Sequence, residues 1–546
     1  MKNTIQYGVF FLSACIFFIA CGTKKENIVF DANNGGLFLP DGFGAVVVAD
    51  SIGPSRHLAV KENGDIYVKL KITSDAPGSV ALRDEDGDGK ADIIQPFGKY
   101  VNDGIFATGM RIHNGYLYYS TEKVVYRQKI DNDLVPTSKQ EIVLMDESDQ
   151  WHIAKPIAFD KEGNMYVPYS APSNACASFI NTNGTSVQQA GQYPCPELVN
   201  HGGIWKFKAN AINQTQKDGV QIGTGLRSIV AMNFNTSNNI LYAVQHGRDD
   251  LHLLWPNLYT AWQNAVTPAE EFFEIKEGNN YGWPYSYFDP LTKQKMQAPE
   301  YGGDGKKVAT DHSFIQPLAA FPAHWAPNDL LFYQGDQFPA RYKNGAFIAF
   351  HGSTNRGPYP QAGYIVAFIP FNNGKPSGEW EVFADGFAGV DTIVNVSDAK
   401  YRPMGLAEGP DGSLYISDSR KGKIWRILYK EDKTKFNNTA LAAMEQRKNT
   451  ATNIKIPDPI KDIIEIKFSK AGQIIYQTNC TNCHQANLKG DGNRYPSLIK
   501  SNYLNDKSSF RNLIYNGKGN MPGFKQLNSK EIDALETYIQ SVMSKQ

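Results

Sequence analysis

The chain has 546 residues, enough for one large body and a smaller appended domain. Aromatics make up 12% and charged residues 20%, while Gly (48) and Pro (29) are plentiful, a composition of many short strands and tight turns. The 55 basic and 55 acidic residues balance, which argues against nucleic acid as a partner, since such binding relies on a basic patch to neutralise phosphates.

Residues 1–20 read as a targeting signal. Lys2 supplies a positive start, and Gly8 to Ala20 form an apolar run barely long enough to span a bilayer. Phe18-Ile-Ala-Cys21 resembles a bacterial lipoprotein signal, with Cys21 the lipidated first residue of the mature protein and residues 21–36 a tether. This predicts a cell-envelope protein facing the periplasm, held to the inner or outer membrane by its lipid. Of six cysteines, Cys15 leaves with the signal, Cys21 carries lipid, and Cys480 and Cys483 belong to a haem motif. Cys176 and Cys195 remain, and an oxidising compartment predicts a disulfide between them.

From residue 37 to 429 one pattern recurs: an apolar stretch, a turn containing Gly, Asn or Asp, then a second strand. Its six copies are His57 to Leu70, Gly109 to Thr121, Pro156 to Ser170, Ile229 to Gln245, Tyr342 to Ser353 and Met404 to Ser417. Each predicts a β-hairpin whose turn needs positive φ. Repeated hairpins of one pattern predict an all-β six-bladed β-propeller. Blades set around an axis present their connecting loops at one face, so a site there draws on residues far apart in sequence. Between the first two copies, Asp84-Glu-Asp86-Gly-Asp88-Gly-Lys-Ala-Asp92 has carboxylates at alternate positions and glycines at the bend, which predicts a structural calcium loop. Gln95 stands where the closing Glu of such a loop belongs.

Residues 430–465 are polar and rich in Lys, Asn and Thr, ending in Ile456-Pro-Asp-Pro459, and predict a linker. Residues 466–546 predict a small all-α domain. Ala471 to Asn479 reads as a helix, as does Asn528 to Val542, where Ile532, Leu535, Ile539 and Val542 form one apolar face. Cys480-Thr-Asn-Cys483-His484 has the C-x-x-C-H spacing in which two thiols bond the porphyrin and the imidazole ligates iron, a covalent haem c. Met521 is the expected sixth ligand, since His/Met ligation makes a relatively high-potential electron carrier. The domain resembles class I cytochrome c domains, with Pro496 where such domains place a proline against the haem. An electron carrier fused to a propeller implies an electron source within reach, so the propeller is predicted to be an oxidoreductase.

Several propeller segments point to its chemistry. They are Trp151-His152 with Pro156-Ile-Ala-Phe-Asp160, Gly225-Leu-Arg227, Asn280-Tyr281-Gly-Trp-Pro-Tyr-Ser-Tyr287, Phe338 to Phe347, His351-Gly-Ser-Thr-Asn-Arg356 and Arg402-Pro-Met-Gly-Leu406. Together they resemble the glucose/sorbosone dehydrogenase family, in its sorbosone-dehydrogenase-like branch, whose characterised members use pyrroloquinoline quinone (PQQ). The resemblance implies oxidation of an aldose or sugar aldehyde, with electrons passing to the fused haem and on to a downstream acceptor of the respiratory chain. His152 falls where the family keeps the base that takes the hydroxyl proton while hydride leaves carbon. PQQ carries three carboxylates, and Lys155, Arg227, Arg356 and Arg402 are the cations expected around them, with Tyr281 and His351 in the same segments. Ser228-Ile229 stand where the family usually has Asn-Pro, so a side-chain amide expected near the quinone is absent. The family's calcium ligands, mainly backbone carbonyls, map onto Gly247 and Arg248, with Asp249, Asp250, Glu270 and Glu271 as nearby acids. Two other readings stand beside this one: a non-catalytic propeller presenting a glycan or protein partner, and calcium-dependent hydrolysis.

Charge divides unevenly between the two bodies. Residues 466–546 hold eleven Lys and Arg against five Asp and Glu, and residues 21–465 hold 43 against 50. Opposite charge on tethered bodies predicts that the cytochrome docks on the propeller face holding the quinone.

Overall fold

A computed structural model of the chain describes residues 28–71, 77–98, 106–148, 154–182, 185–464, 468–490, 495–499, 501–519, 521–525, 527 and 529–543. Cys21 and His152 lie outside the described residues. Six sheets surround one axis, each built on four antiparallel strands. From blade 1 to blade 6, the innermost strands are Ser55–Val60, Met110–His113, Ala158–Phe159, Ile229–Asn235, Pro327–Phe332 and Pro403–Glu408. The second strands are Ile66–Leu70, Tyr116–Ser120, Asn164–Tyr169, Ile240–Gln245, Ala346–Phe350 and Leu414–Asp418. Blade 6 closes the ring by borrowing the N-terminal strand Phe43–Ala49, which pairs with Ile424–Tyr429.

Local sequence explains the hairpins. In blade 2 the two-residue turn Asn114-Gly115 takes φ of +47° and +76°, the conformation that a tight hairpin demands and that these residues tolerate. The cores lie between blades, where apolar residues of neighbouring sheets interlock. Tyr242, Val244 and Phe272 of blade 4 meet Leu330, Ile348 and Phe350 of blade 5, all fully buried. Burying one such side chain stabilises the fold by about 1.5–3 kcal/mol. Phe43 pins the closing strand: its ring stands edge-on to Phe338 and Tyr429, both at 4.9 Å.

Two expectations shift. The fifth hairpin begins upstream, at Pro327–Phe332, and the window from Tyr342 to Ser353 holds only its second strand. The loop between them buries Tyr333, Phe338 and Tyr342, which gave it the apolar look of a strand. Residues 430–464 form a strap folded onto the propeller rather than a loose linker. Leu441, Met444 and Ile454 are buried, Arg447 pairs with Asp385 at 2.6 Å, and the Lys448 ammonium lies 4.0 Å over the Trp380 ring.

The C-terminal body is helical: Phe468–Asn479, Thr481–His484, Lys507–Asn516 and Ser529–Met543. Tyr476, Phe510, Ile514, Ile532, Leu535 and Ile539 make its core, and the Asp506 carboxylate caps the third helix by accepting from the Ser508 and Ser509 amides. This body touches the propeller through Leu253, which packs against the helical core, and at Gly357, where a Cβ would come within 3.1 Å of Thr478. Among the described residues no helix is long and apolar enough to cross a membrane.

Candidate active site

Every innermost strand starts, and every second strand ends, at the same end of the propeller, so the residues flanking each hairpin meet there. At the starts stand Arg56, Lys155, Arg227 and Arg402; past the ends come Lys71, Glu122, His246, His351 and Ser419. Arg402 is held in a fixed pose, its Nε donating to the His351 carbonyl at 2.9 Å and its Nη2 to the Gly352 carbonyl at 2.5 Å. Arg56 donates to the Ala107 carbonyl and the Thr108 hydroxyl, both at 3.2 Å. Among the described residues Arg56, Lys71 and Arg402 form no ion pair, and their charges face one another. Burial first, and then the Arg402 guanidinium, lower the Arg56 pKa to about 10. Burial, followed by Arg56 and Arg402, lowers that of Lys71. His351, hydrogen-bonded through Nε2 to the Ser419 hydroxyl at 2.5 Å, is held neutral by burial and by Arg402, Arg56 and Lys71. Glu122 favours the charges of Arg56 and Lys71, and Asp418 that of Arg402, but neither acid forms an ion pair with them, and three cations so crowded form a receptor for a polyanion. Two buried oxygens nearby, Asn328 Oδ1 and Ser353 Oγ, also have no partner among the described residues. This donor set fits PQQ, whose carboxylates accept from such groups.

The other side of the mouth centres on Arg227. Its Nη1 donates to the Gly247 carbonyl and its Nη2 to Asp249 Oδ2, both at 2.8 Å, while its buried Nε has no partner. His246 donates from Nε2 to the Pro327 carbonyl at 2.8 Å, and burial brings its pKa down to about 4. The Gly247 carbonyl is thus shared with a guanidinium, and a calcium ion placed there would compete with Arg227 for that oxygen. The Arg248 side chain turns away to a buried ion pair with Glu300. Burial and the neighbouring Asp249 raise the Asp250 carboxyl to about 6, and burial raises Glu270 to about 7, as expected of carboxylates short of cationic partners. Glu271 is neutralised by Lys295 at 2.8 Å.

Three expected PQQ ligands are placed elsewhere. Tyr281 is a core residue, its hydroxyl donating to the Glu274 carbonyl and accepting from the Lys276 amide, both at 2.9 Å. Lys155 is buried against Asp146 at 2.5 Å, so its charge is spent inside the seam between blades 2 and 3. Arg356 lies outside the mouth and lines a cavity on the propeller's flank. Conversely, Arg56, Lys71 and His246 were not among the expected residues. The signal was available in position, since Arg56 immediately precedes the first hairpin copy and His246 immediately follows the fourth.

The acidic loop gathers three of its four aspartates: ligand oxygens of Asp84, Asp86 and Asp88 lie within 4.8 Å of one another. Asp92 stands apart from this group, its carboxylate accepting from the Glu85 amide at 2.7 Å. Cys176 and Cys195 are joined in a disulfide.

In the helical body Cys480 and Cys483, neither of them in a disulfide, stand on the turn that leads to His484. Burial raises the Cys480 thiol to about 12. His484 donates from Nδ1 to the Pro496 carbonyl at 2.9 Å, which leaves Nε2 for a metal. Met521 packs against the same core as Cys480. Two thiols, a directed imidazole and a thioether around one core fit haem c.

Known proteins agree with this division. Residues 37–430 match the family described as TrAA12-like, and residues 469–539 the family described as cytochrome c oxidase, cbb3-type, subunit III. An uncharacterized protein of Borreliella burgdorferi is 28% identical over 223 residues, 40% of this chain and 52% of its own, so the chain spans about half the length of that relative. A pyrroloquinoline quinone-dependent sugar dehydrogenase of Hypocrea jecorina is 24% identical over 439 residues, 75% of this chain and 86% of its own. The calcium structure of Trichoderma reesei Carbohydrate-Active Enzymes Family AA12 superposes with a TM-score of 0.58 at 19% identity, over 72% of this chain and 97% of that one. The holo pyranose dehydrogenase PQQ domain from Coprinopsis cinerea gives 0.55 at 15% identity, over 72% and 97%. The two superpositions show the shared fold. With the match running through the whole six-bladed body, this chain belongs to the TrAA12-like family, and its propeller carries a C-terminal cytochrome c domain.

Proposed function

We propose that this chain is a PQQ-dependent dehydrogenase of an aldose or sugar aldehyde, facing the periplasm on a lipid anchor at Cys21, that delivers electrons to its own haem c and on to a respiratory acceptor. The observation that carries the proposal is the group of unpaired cations, Arg56, Lys71 and Arg402, converging at the mouth on which the helical body rests. The sugar-dehydrogenase name of the Hypocrea jecorina relative supports the substrate class.

PQQ, when bound, supplies an o-quinone that accepts a hydride equivalent from the sugar carbon. The guanidinium forks of Arg56 and Arg402 hold its carboxylates, and the Arg402 fork is oriented beforehand by the His351 and Gly352 carbonyls. His246 and His351, neutral at physiological pH, contribute hydrogen bonds without adding charge. His152 takes the hydroxyl proton of the sugar. Asp249, Asp250 and Glu270 would hold a calcium ion, whose charge would favour the ionised form of their raised carboxyls, and Asp84, Asp86 and Asp88 would hold a second. Cys480 and Cys483 would hold haem covalently, and His484 and Met521 would supply the ligands to its iron. The contacts at Leu253 and Gly357 set the haem body beside the mouth, aided by the opposite charges of the two bodies.

Protein made in a host competent for cytochrome maturation, loaded with PQQ and calcium, tests this directly. Haem absorbance should change to the reduced form on adding an aldose, more slowly at high ionic strength. Haem that stays oxidised while an added dye is reduced by the same sugar would refute the internal transfer. No sugar oxidation by any acceptor would favour the non-catalytic propeller.

A further inference from the structure

A cavity of about 650 Å³ lies on the flank of the propeller, walled by blades 4 and 5 and by the strap, and shares no lining residue with the pocket around Arg227. Its walls are largely apolar, with Phe288, Leu318, Ala319, Trp380 and Ile454 among them. Of the cations on its lining, Lys293, Lys448, Lys455 and Arg356, only the arginine is fully buried. Arg356 is only 1% exposed, and neither its Nε nor its Nη1 has a hydrogen-bond partner. It forms no ion pair among the described residues, and the one titratable neighbour that favours its charge is the Tyr364 phenol. Buried cations are normally matched by a carboxylate, because desolvating a lone charge costs far more than a single hydrogen bond returns.

The other ionisable groups around the cavity do not supply that match. Glu379, a carboxylate on the lining, forms no ion pair with Arg356 and is not among the groups that favour its charge, while Lys448 donates to the Trp380 carbonyl at 2.6 Å, Lys455 pairs with Asp462 at 2.8 Å, and Lys293 adds further positive charge. An anionic head with an apolar body complements both the charge and the lining. We propose that this cavity binds an amphiphilic carboxylate, its acid group on Arg356 and its apolar part against Phe288, Leu318 and Trp380. The site is separate from the quinone mouth, so the proposal does not depend on the catalytic reading.

Calorimetry on the purified full-length haem protein, with decanoate below its micellar concentration as probe and 1-decanol as the uncharged control, tests the site. Decanoate should bind at one site per chain and raise the melting temperature, and decanol should bind about tenfold more weakly or worse, since it lacks the charge that Arg356 recognises. Arg356→Met should lose the preference for decanoate, and without ligand it should melt higher than the parent, because an uncompensated buried charge has gone. Ala319→Trp fills the cavity with Arg356 intact and should also abolish binding. Equal decanoate affinity in the parent and Arg356→Met would overturn the proposal, as would a lower melting temperature of ligand-free Arg356→Met. Weakened PQQ binding in Arg356→Met would return this arginine to the quinone and overturn it too.

Discussion

The Nδ1–H of His484 donates to the carbonyl oxygen of Pro496 at 2.9 Å, so the chain itself selects the tautomer in which Nε2 is free. The bond also fixes the plane of the ring and raises its basicity as a ligand. The remaining axial position then decides the potential. Replacing Met521 with Ala should leave haem covalently attached through Cys480 and Cys483 but lower its reduction potential, because thioether ligation favours the ferrous state. Potentiometric titration of the parent and variant checks this, and an unchanged potential would mean another residue holds that position.

At the propeller mouth the sharpest test is Arg402→Lys. The guanidinium bonds two successive carbonyls, those of His351 and Gly352, while keeping its charge toward Arg56 and Lys71. An ammonium retains the charge but loses the planar fork. Loss of about 2 kcal/mol, or roughly thirtyfold in the PQQ dissociation constant, is expected for a charged hydrogen bond of this kind. Fluorescence titration with PQQ reads the effect, and an affinity within twofold of the parent would place the quinone elsewhere.

How much of this was legible beforehand varies with the kind of information each residue carries. Five of six hairpins were visible because strand alternation and positive-φ turns are local signals, as in Asn114-Gly115. The fifth was displaced because Tyr333, Phe338 and Tyr342 are apolar for tertiary reasons, filling a cluster around Phe43 that sequence alone does not reveal. The haem residues were plain because their spacing is dictated by covalent chemistry. The quinone cations were half legible. Arg227 and Arg402 reach the mouth, but whether a Lys or Arg faces solvent, ligand or a buried acid depends on long-range partners. Lys155 finds Asp146 nine positions away, and Arg356 turns into a cavity walled partly by the strap.

A pH experiment follows from His57, which is fully buried on the innermost strand of blade 1. Its Nε2 donates to the Asn328 carbonyl at 2.7 Å, while Nδ1 has no partner. Burial lowers its pKa from 6.5 to about 4 in spite of the nearby Asp329. Between those values the unfolded chain binds a proton that the folded chain refuses, so stability present above pH 6.5 is lost as the pH falls toward 4. The drop corresponds to about 3 kcal/mol for this residue. His57→Phe should start from a lower melting temperature, since the Asn328 carbonyl loses its donor, yet show a shallower decline across that window. A decline as steep as the parent's would assign the acid sensitivity to other groups, such as His246.

The strap offers the last test, because it separates a tether from a structural element. Met444 is 1% exposed and packs in the same cluster as Trp325, Phe350 and Val382, far more contact than a spacer between two domains requires. If residues 430–464 only joined two bodies, Met444→Ala would be silent. If they belong to the propeller, truncation opens a cavity that costs about 2–5 kcal/mol and loosens the segment around Arg447 and Lys448. The expected result is a lower melting temperature for the propeller together with faster protease cleavage within the strap. Arg447→Ala, which removes the ion pair to buried Asp385, should act in the same direction. Cleavage at parental rates in both variants would show that the strap's attachment is not held by these contacts. Because the strap also walls the flank cavity through Ile454, loosening it should weaken decanoate binding in parallel, whereas the PQQ affinity of the mouth should not change.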